Sequence, residues 1–267
     1  MKVILSVEPV RFPLTGIGRY AYELAKRLGE CDQLSSCRLF SGSRFLSGLP
    51  LPSSHSDRSY RVRQLVQKSR LAVEGYRLLS PWLRRRALAN SQGYLYHSTN
   101  FFLPPFNGPR VATVHDLSAF KWASCHDPAK LNYLQRGLEH TLKVADALIT
   151  DCEFTRQELL AFSGWDEHRI HAVPLAAGEE FYPRDPEMLN EVLRCHGLTA
   201  GQYTLFVGTI EPRKNIGRLL QAYRLLPDSV RLRWPLVVSG YRGWQSEDLH
   251  RQLCQAEREG WVRYLGF

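Results

Sequence analysis

The chain has 267 residues, 44% of them hydrophobic and 23% charged, with a formal net charge of +9 at pH 7. That is the composition of a globular protein long enough for one large or two ordinary domains, each able to bury a core. No apolar run reaches the roughly 18 residues a membrane-spanning helix needs, and the six cysteines lack CxxC or zinc-ligand spacing and read as reduced cytosolic thiols.

In chain order, MKVILSVEPV reads as a first strand (Val3–Val7) rather than a secretory leader. TGIGRYAYELAKRL opens with glycines and continues as a helix over Ile17–Leu28, before a strand at Cys37–Ser41. Residues 58–86 then carry a run of arginines, Arg84, Arg85 and Arg86 among them, interleaved with leucines and Trp82. This is the composition of a segment lying on anionic lipid; solvated cationic helix faces are the plainer alternative. Nucleic acid is the rival partner for such a patch, but no helix-turn-helix, zinc-finger or RNP signature accompanies it.

Strands follow at Tyr94–His97 and Val111–Val114, then a helix at Lys130–Val144. A strand at Ala147–Thr150, a helix at Thr155–Phe162 and a strand at His171–Val173 complete the first half. The acidic, proline-bearing AAGEEFYPRDPE (Ala176–Glu187) reads as a hinge. Beyond it lie strands at Thr204–Val207, Pro235–Ser239 and Val262–Phe267, with helices at Ile216–Leu226 and Glu247–Glu259. Continuous apolar strands alternating with helices predict an α/β protein of parallel sheets covered on both faces. The expected division is a Rossmann-like unit over 1–178, a linker over 179–201 and a second, incomplete Rossmann-like unit over 202–267.

Ligands of such sheets bind beyond the carboxyl ends of the strands, which selects short stretches. Gly16-Ile17-Gly18 resembles a dinucleotide fingerprint. It stands well past Val7, however, and the second strand ends in Ser41-Gly42 with no ribose-binding carboxylate, which argues against NAD. A glycine loop opening a helix remains, favourable to an anion, with a plain turn as the alternative. No GxxxxGK[ST] occurs, excluding a P-loop kinase. YHSTN places His97 and Asn100, and TVHDLS places His115 and Asp116, at strand ends, where a histidine is a candidate catalytic residue or a structural one.

GTIEPRKNIGRLLQAY is the strongest signal. Gly208 and Thr209 follow a strand, and Arg213 and Lys214 precede Asn215, a good helix N-cap. Two cations beside a positive helix end are unfavourable unless they share an anion such as a diphosphate; an exposed basic turn is the alternative.

Taken together, these segments resemble the GT-B glycosyltransferases of the retaining family 4 group, especially bacterial enzymes that build O-antigen or capsule glycans. VGTIEPRKNIGRLLQAY resembles the donor-phosphate segment, GIGRYAYELAKRL the glycine loop and TVHDLS the histidine strand. VADALITDCEFTRQEL, VPLAAGEEFYP, LVVSGYRGW and VRYLGF extend the likeness along the whole chain. The resemblance implies a hexosyl, in particular mannosyl, transfer from a nucleotide sugar such as GDP-mannose to a lipid-linked or polysaccharide acceptor. It implies no further cofactor and no catalytic metal. On the same basis Arg213, Lys214, Thr209 and Gly208 would hold the donor diphosphate, Gly16, Ile17 and Gly18 would approach both substrates, His115 and Asp116 would be catalytic, and His97 and Asn100 would face the acceptor. The expected setting is the cytoplasmic face of the plasma membrane.

Two departures accompany the likeness. Thr209 stands where many relatives carry Arg, and the E-x7-E segment expected beyond Phe267 is not in the chain. A truncated, catalytically silent remnant or phosphate- or membrane-binding module is therefore the rival expectation. Continuation of the reading frame past Phe267 separates the two.

Overall fold

The structure is a computed structural model that describes residues 1–51 and 70–267, and their side chains except those of 70–78 and 129. The chain divides into two compact units, Met1–Leu117 with Tyr133–Gly178, and Ser118–Asn132 with Glu179–Phe267.

The first unit is built on a seven-stranded sheet. Its strands are β1 (Lys2–Ser6), β2 (Ser36–Ser41), β3 (Arg44–Leu46), β4 (Leu95–Ser98), β5 (Arg110–Val114), β6 (Ala147–Thr150) and β7 (Ile170–Ala172), in the spatial order β3-β2-β1-β4-β5-β6-β7. All pairs are parallel except β2–β3, a short antiparallel turn-back that the sequence reading did not anticipate. Three residues with a single alternation carry too little pattern to stand out. The strand order reverses between β1 and β4, the kind of point at which doubly wound sheets open a crevice. β1 is central and buried on both faces, with Ile4 and Leu5 at 0% exposure, which is why its sequence is an unbroken apolar run.

Helices α1 (Gly16–Gly29), α2 (Arg70–Leu88), α3 (Ser118–Lys121), α4 (Pro128–Val144) and α5 (Glu153–Ser163) follow in chain order. α1 buries Gly18, Ala21 and Ala25, a stripe of small residues that lets it lie close to β1 and β2. Its last turn carries Lys26 and Arg27, which suit the negative end of the helix.

The second unit contains a three-stranded parallel sheet, β10 (Val262–Gly266), β9 (Leu236–Ser239) and β8 (Thr204–Val207) in that order. Helices α7 (Ile216–Arg224) and α9 (Glu247–Arg258) cover it, and α8 (Asp228–Arg233) precedes β9. Trp261 and Tyr223 stack at 5.8 Å over Ile216, Leu220, Leu253 and Val238, each nearly or wholly buried. Complete burial of each such side chain stabilises by about 1.5–3 kcal/mol.

Residues 179–201, read from the sequence as linker, contain helix α6 (Pro186–Cys195). Pro186 opens its first turn, and Leu189 and Leu193, four apart, turn inward. The prolines and acids ahead of it masked that short periodicity.

Candidate functional site

The residues singled out in the sequence form two constellations, one in each unit. In the first, β5 and β6 run in register with Val114 opposite Thr150, so the residues that follow, His115 and Asp151, emerge side by side. His115 Nδ1 donates to Asp151 Oδ2 at 2.7 Å and Nε2 to the Thr99 carbonyl at 3.0 Å. A carboxylate and a carbonyl only accept, so both ring nitrogens carry protons and the ring is an imidazolium. Burial works to lower the His115 pKa, but Asp151, the Thr99 carbonyl and Asp116 together raise it above its ordinary value. The Tyr20 ring meets the imidazole edge-on, 5.1 Å away. With both nitrogens donating, His115 in this arrangement is a fixed cation rather than a general base. Asp116, the other residue expected to be catalytic, is exposed next to it.

His97 was expected to face an acceptor. Instead it is 7% exposed, and its Nε2 lies 3.0 Å from Thr113 Oγ1, which also meets the Tyr20 hydroxyl at 2.9 Å. Burial lowers its pKa to about 4, so it is neutral and part of the core. Its β-strand position, pointing between packed layers, overrides the strand-end argument. Asn100 stays at the surface of a cavity of about 330 Å³, with Oδ1 accepting from the Phe101 N–H at 2.8 Å.

Gly16 and Ile17 begin α1, and the Thr15 side chain makes no capping hydrogen bond there. A Cβ on Gly18 would stand 2.9 Å from the Pro9 carbonyl oxygen, so glycine lets the helix start press against the loop after β1.

In the second unit, Gly208 follows β8 and Gly240 follows β9. Gly240 has φ +156°, and a Cβ there would lie 1.8 Å from the Gly208 carbonyl oxygen, so no other residue fits. The chain continues through Thr209 and Ile210 to a 3₁₀ turn, Pro212–Lys214, and then α7. Asn215, expected as an N-cap, makes no side-chain cap bond; it sits in the left-handed region at φ 55°, which asparagine tolerates, to redirect the chain into α7.

Arg213 and Lys214 also part company. Arg213 Nη2 lies 2.9 Å from Oε1 of Glu211, whose side chain is only 3% exposed. The conflict of two cations at a helix start is thus half resolved inside the protein, and Arg213 is committed to a structural ion pair. Lys214 is exposed and, among the described residues, makes no ion pair.

Most of the basic stretch 58–86 lies outside the residues described with side chains. Within the remainder, Arg84 is drawn inward by Glu8 at 2.8 Å and so is not a surface cation as expected, whereas Arg85 and Arg86 are exposed beside Leu79 and Trp82, each 59% exposed. Among the described residues no helix is long and apolar enough to cross a membrane, and no group of His, Cys, Asp and Glu is arranged to hold a metal ion.

Glu8, Tyr20, Asp151 and Glu211 were missed in the sequence. Glu8 and Asp151 follow β1 and β6 closely, so the strand-end rule that found His115 would have found them too.

No family model matches the chain. Over its full length it is 38% identical, across 271 aligned residues, to the O-antigen chain mannosyltransferase B of Escherichia coli, covering 71% of that protein. Over 121 residues, 45% of the chain, it is 34% identical to the serotype-specific mannosyltransferase WbdA of Escherichia coli, covering 14% of it. Among solved structures, Anabaena Alr3699/HepE in complex with UDP-glucose matches the whole chain and 69% of its own with a TM-score of 0.62 at 14% identity. WaaG, a glycosyltransferase involved in lipopolysaccharide biosynthesis, matches the whole chain and 70% of its own with a TM-score of 0.59 at 14% identity. These distant structures share the α/β fold of parallel sheets described above. Similarity along the entire chain to the first enzyme decides the family: the chain belongs to the GT-B glycosyltransferases, in the group of the O-antigen mannosyltransferases.

Proposed function

We propose that the protein moves a mannosyl residue from GDP-mannose to the hydroxyl of a lipid-linked or polysaccharide acceptor, with retention of configuration. The observation that carries this reading is the 38% identity along the whole chain to an O-antigen chain mannosyltransferase. In the reaction the bond from the sugar C1 to the diphosphate oxygen breaks and a bond from C1 to the acceptor oxygen forms on the same face. The acceptor proton passes to the departing phosphate. Negative charge develops on the diphosphate, so catalysis depends on positioned positive charge rather than on a protein nucleophile. Lys214 is suited to that task because, among the described residues, no carboxylate pairs with it, and the first-turn N–H groups of α7 are suited to the same anion. Thr209 and Gly208 line the strand end leading to it. Gly16, Ile17 and Gly18 bring backbone N–H groups of α1 close to substrate. The imidazolium of His115, held by Asp151, adds a fixed positive charge at the end of β5.

The protein works on the cytoplasmic face of the membrane, held there through 58–86. Exposed Trp82, Arg85 and Arg86 support that placement. The test of function is a donor panel with a mannan primer: GDP-mannose should donate, and UDP-glucose should not. Transfer from UDP-glucose in preference to GDP-mannose would overturn the donor assignment. For the membrane, salt-sensitive sedimentation with anionic vesicles should weaken in Arg85→Gln/Arg86→Gln, since each basic residue near such a surface contributes about 1 kcal/mol.

A further inference from the structure

At the edge of the seven-stranded sheet opposite His115 lies another cavity, also of about 330 Å³. Its walls come from the last turn of α2 and from the loops that enter β4 and β5, so it sits at the amino ends of those strands. No residue assigned above to donor, acceptor or catalysis lines it.

Both entering loops are held in place. The Tyr94 N–H donates to the Ser91 carbonyl at 3.3 Å, and the Tyr96 N–H to the Pro109 carbonyl at 2.8 Å. Gly108 lets the second loop press on the first: a Cβ there would stand 2.9 Å from the Tyr94 carbonyl oxygen and 2.7 Å from the Phe106 ring. Phe106 packs on Tyr96 with centroids 5.6 Å apart and, with buried Leu88, makes the apolar wall.

The polar wall is Arg85, Ser91, Gln92 and Asn107. None of these four side chains has a hydrogen-bond or ion-pair partner among the described residues. Ser91 matters most, because it is only 2% exposed and its Oγ is buried without a partner. Burying a hydroxyl that way is costly, and native proteins keep few such groups. A guanidinium, two amides and a hydroxyl form a donor set suited to a phosphate. Carboxylates that would oppose an anion are scarce. From Gly75 to His115 the sequence has no Asp or Glu. Glu8 and Asp146, which meet this run, pair with Arg84 and Arg110. The end of α2 opposes an anion with about half a negative charge, and the full charges of Arg85 and Arg86 in its last turn outweigh that.

We propose that this cavity binds a phosphate ester, Arg85 supplying the charge and Ser91, Gln92 and Asn107 the hydrogen bonds. Two sources carry that chemistry: a soluble phosphate ester, and the headgroup of an anionic lipid, which the exposed Leu79 and Trp82 of the same helix would bring near. The site is independent of the glycosyl-transfer reading; its lipid form rests on the membrane placement.

The experiment titrates the protein with glycerol 3-phosphate in one arm. In the other it is sedimented with phosphatidylglycerol vesicles, against phosphatidylcholine ones. Binding in the first arm assigns the site to a soluble ester; binding confined to the second assigns it to the headgroup. In whichever arm binds, Ser91→Ala should weaken binding at least threefold and Arg85→Gln at least fivefold. Asn107→Asp, an exposed change of the same shape, should weaken it at least fivefold by repulsion. Ser91→Ala removes no charge, so a diffuse attraction between a basic helix and an anion would not register it. Its melting temperature should not fall, because the hydroxyl it removes has no partner. Lys214→Ala should leave the affinity within twofold, which separates this site from the diphosphate site. No binding in either arm would overturn the proposal, as would loss of binding in Lys214→Ala. Vesicle binding unchanged in folded Ser91→Ala and Asn107→Asp, with no glycerol 3-phosphate bound, would overturn the cavity while leaving the membrane placement intact. Glycerol 3-phosphate binding without vesicle binding would do the reverse.

Discussion

His115 Nδ1 and Asp151 Oδ2 lie 2.7 Å apart because Val114 and Thr150 are partners across β5 and β6. Parallel pairing brings the next residue of each strand to the same edge, where the Asp151 carboxylate accepts from the imidazole and raises the His115 pKa. Asp151→Asn keeps the shape and removes the charge. The His115 pKa should then fall, because burial is left opposed by less negative charge. Titration of the His115 ring by NMR checks this; an unchanged midpoint would show that Asp151 does not hold the proton in place.

The two histidines of this unit bias stability in opposite pH windows. His115, with its folded pKa above 6.5, contributes stability that is complete below that value and is lost as pH rises through the folded pKa. His97, lowered to about 4, does the reverse: the unfolded chain takes up a proton near 6.5 that the folded chain refuses, so stability falls between pH 6.5 and 4. For a group this buried the loss approaches about 3 kcal/mol. Denaturant melts across this range should show His97→Gln flattening the acid side and Asp151→Asn flattening the alkaline side.

Lys214→Ala and Arg213→Ala should separate cleanly. Loss of the exposed Lys214 should weaken GDP binding by about 1.5–3 kcal/mol, as for one charged hydrogen bond, and leave the melting temperature unmoved. Loss of Arg213 leaves Glu211 buried without its partner, so it should cost about 1–3 kcal/mol of stability. Calorimetric GDP titration beside thermal melts decides it. Equal effects of both variants on binding alone would mean that the Glu211 pair is not what commits Arg213.

Gly240→Ala drives a methyl group into the Gly208 carbonyl at a positive φ. Strain and overpacking of this kind cost about 1–3 kcal/mol, and hydrogen exchange should report it first in β8 and β9, with the seven-stranded sheet unaffected. Protection equal to that of the unaltered protein would refute the close approach.

Much of this was determined by the sequence alone. The buried strands β1 and β9 announced themselves because a strand buried on both faces must be apolar at nearly every position, and Gly208 because it follows the strand β8. Local runs were therefore sufficient for the α/β class, the stretches at the carboxyl ends and most elements, though not for β3 or α6. What the tertiary structure decided was partnership. Nothing local distinguishes Arg213 from Lys214; the burial of Glu211 does, by taking one cation and leaving the other exposed. Nothing local says that His97 is core and His115 charged; that follows from Thr113 beside one and Asp151 beside the other, each brought from a neighbouring strand or beyond by parallel pairing. The same holds for Tyr133, distant in sequence from Phe102, which only a glycine at 137 allows to stack. A side chain's charge and exposure depend on its neighbours in space, and parallel sheets draw those neighbours from far along the chain.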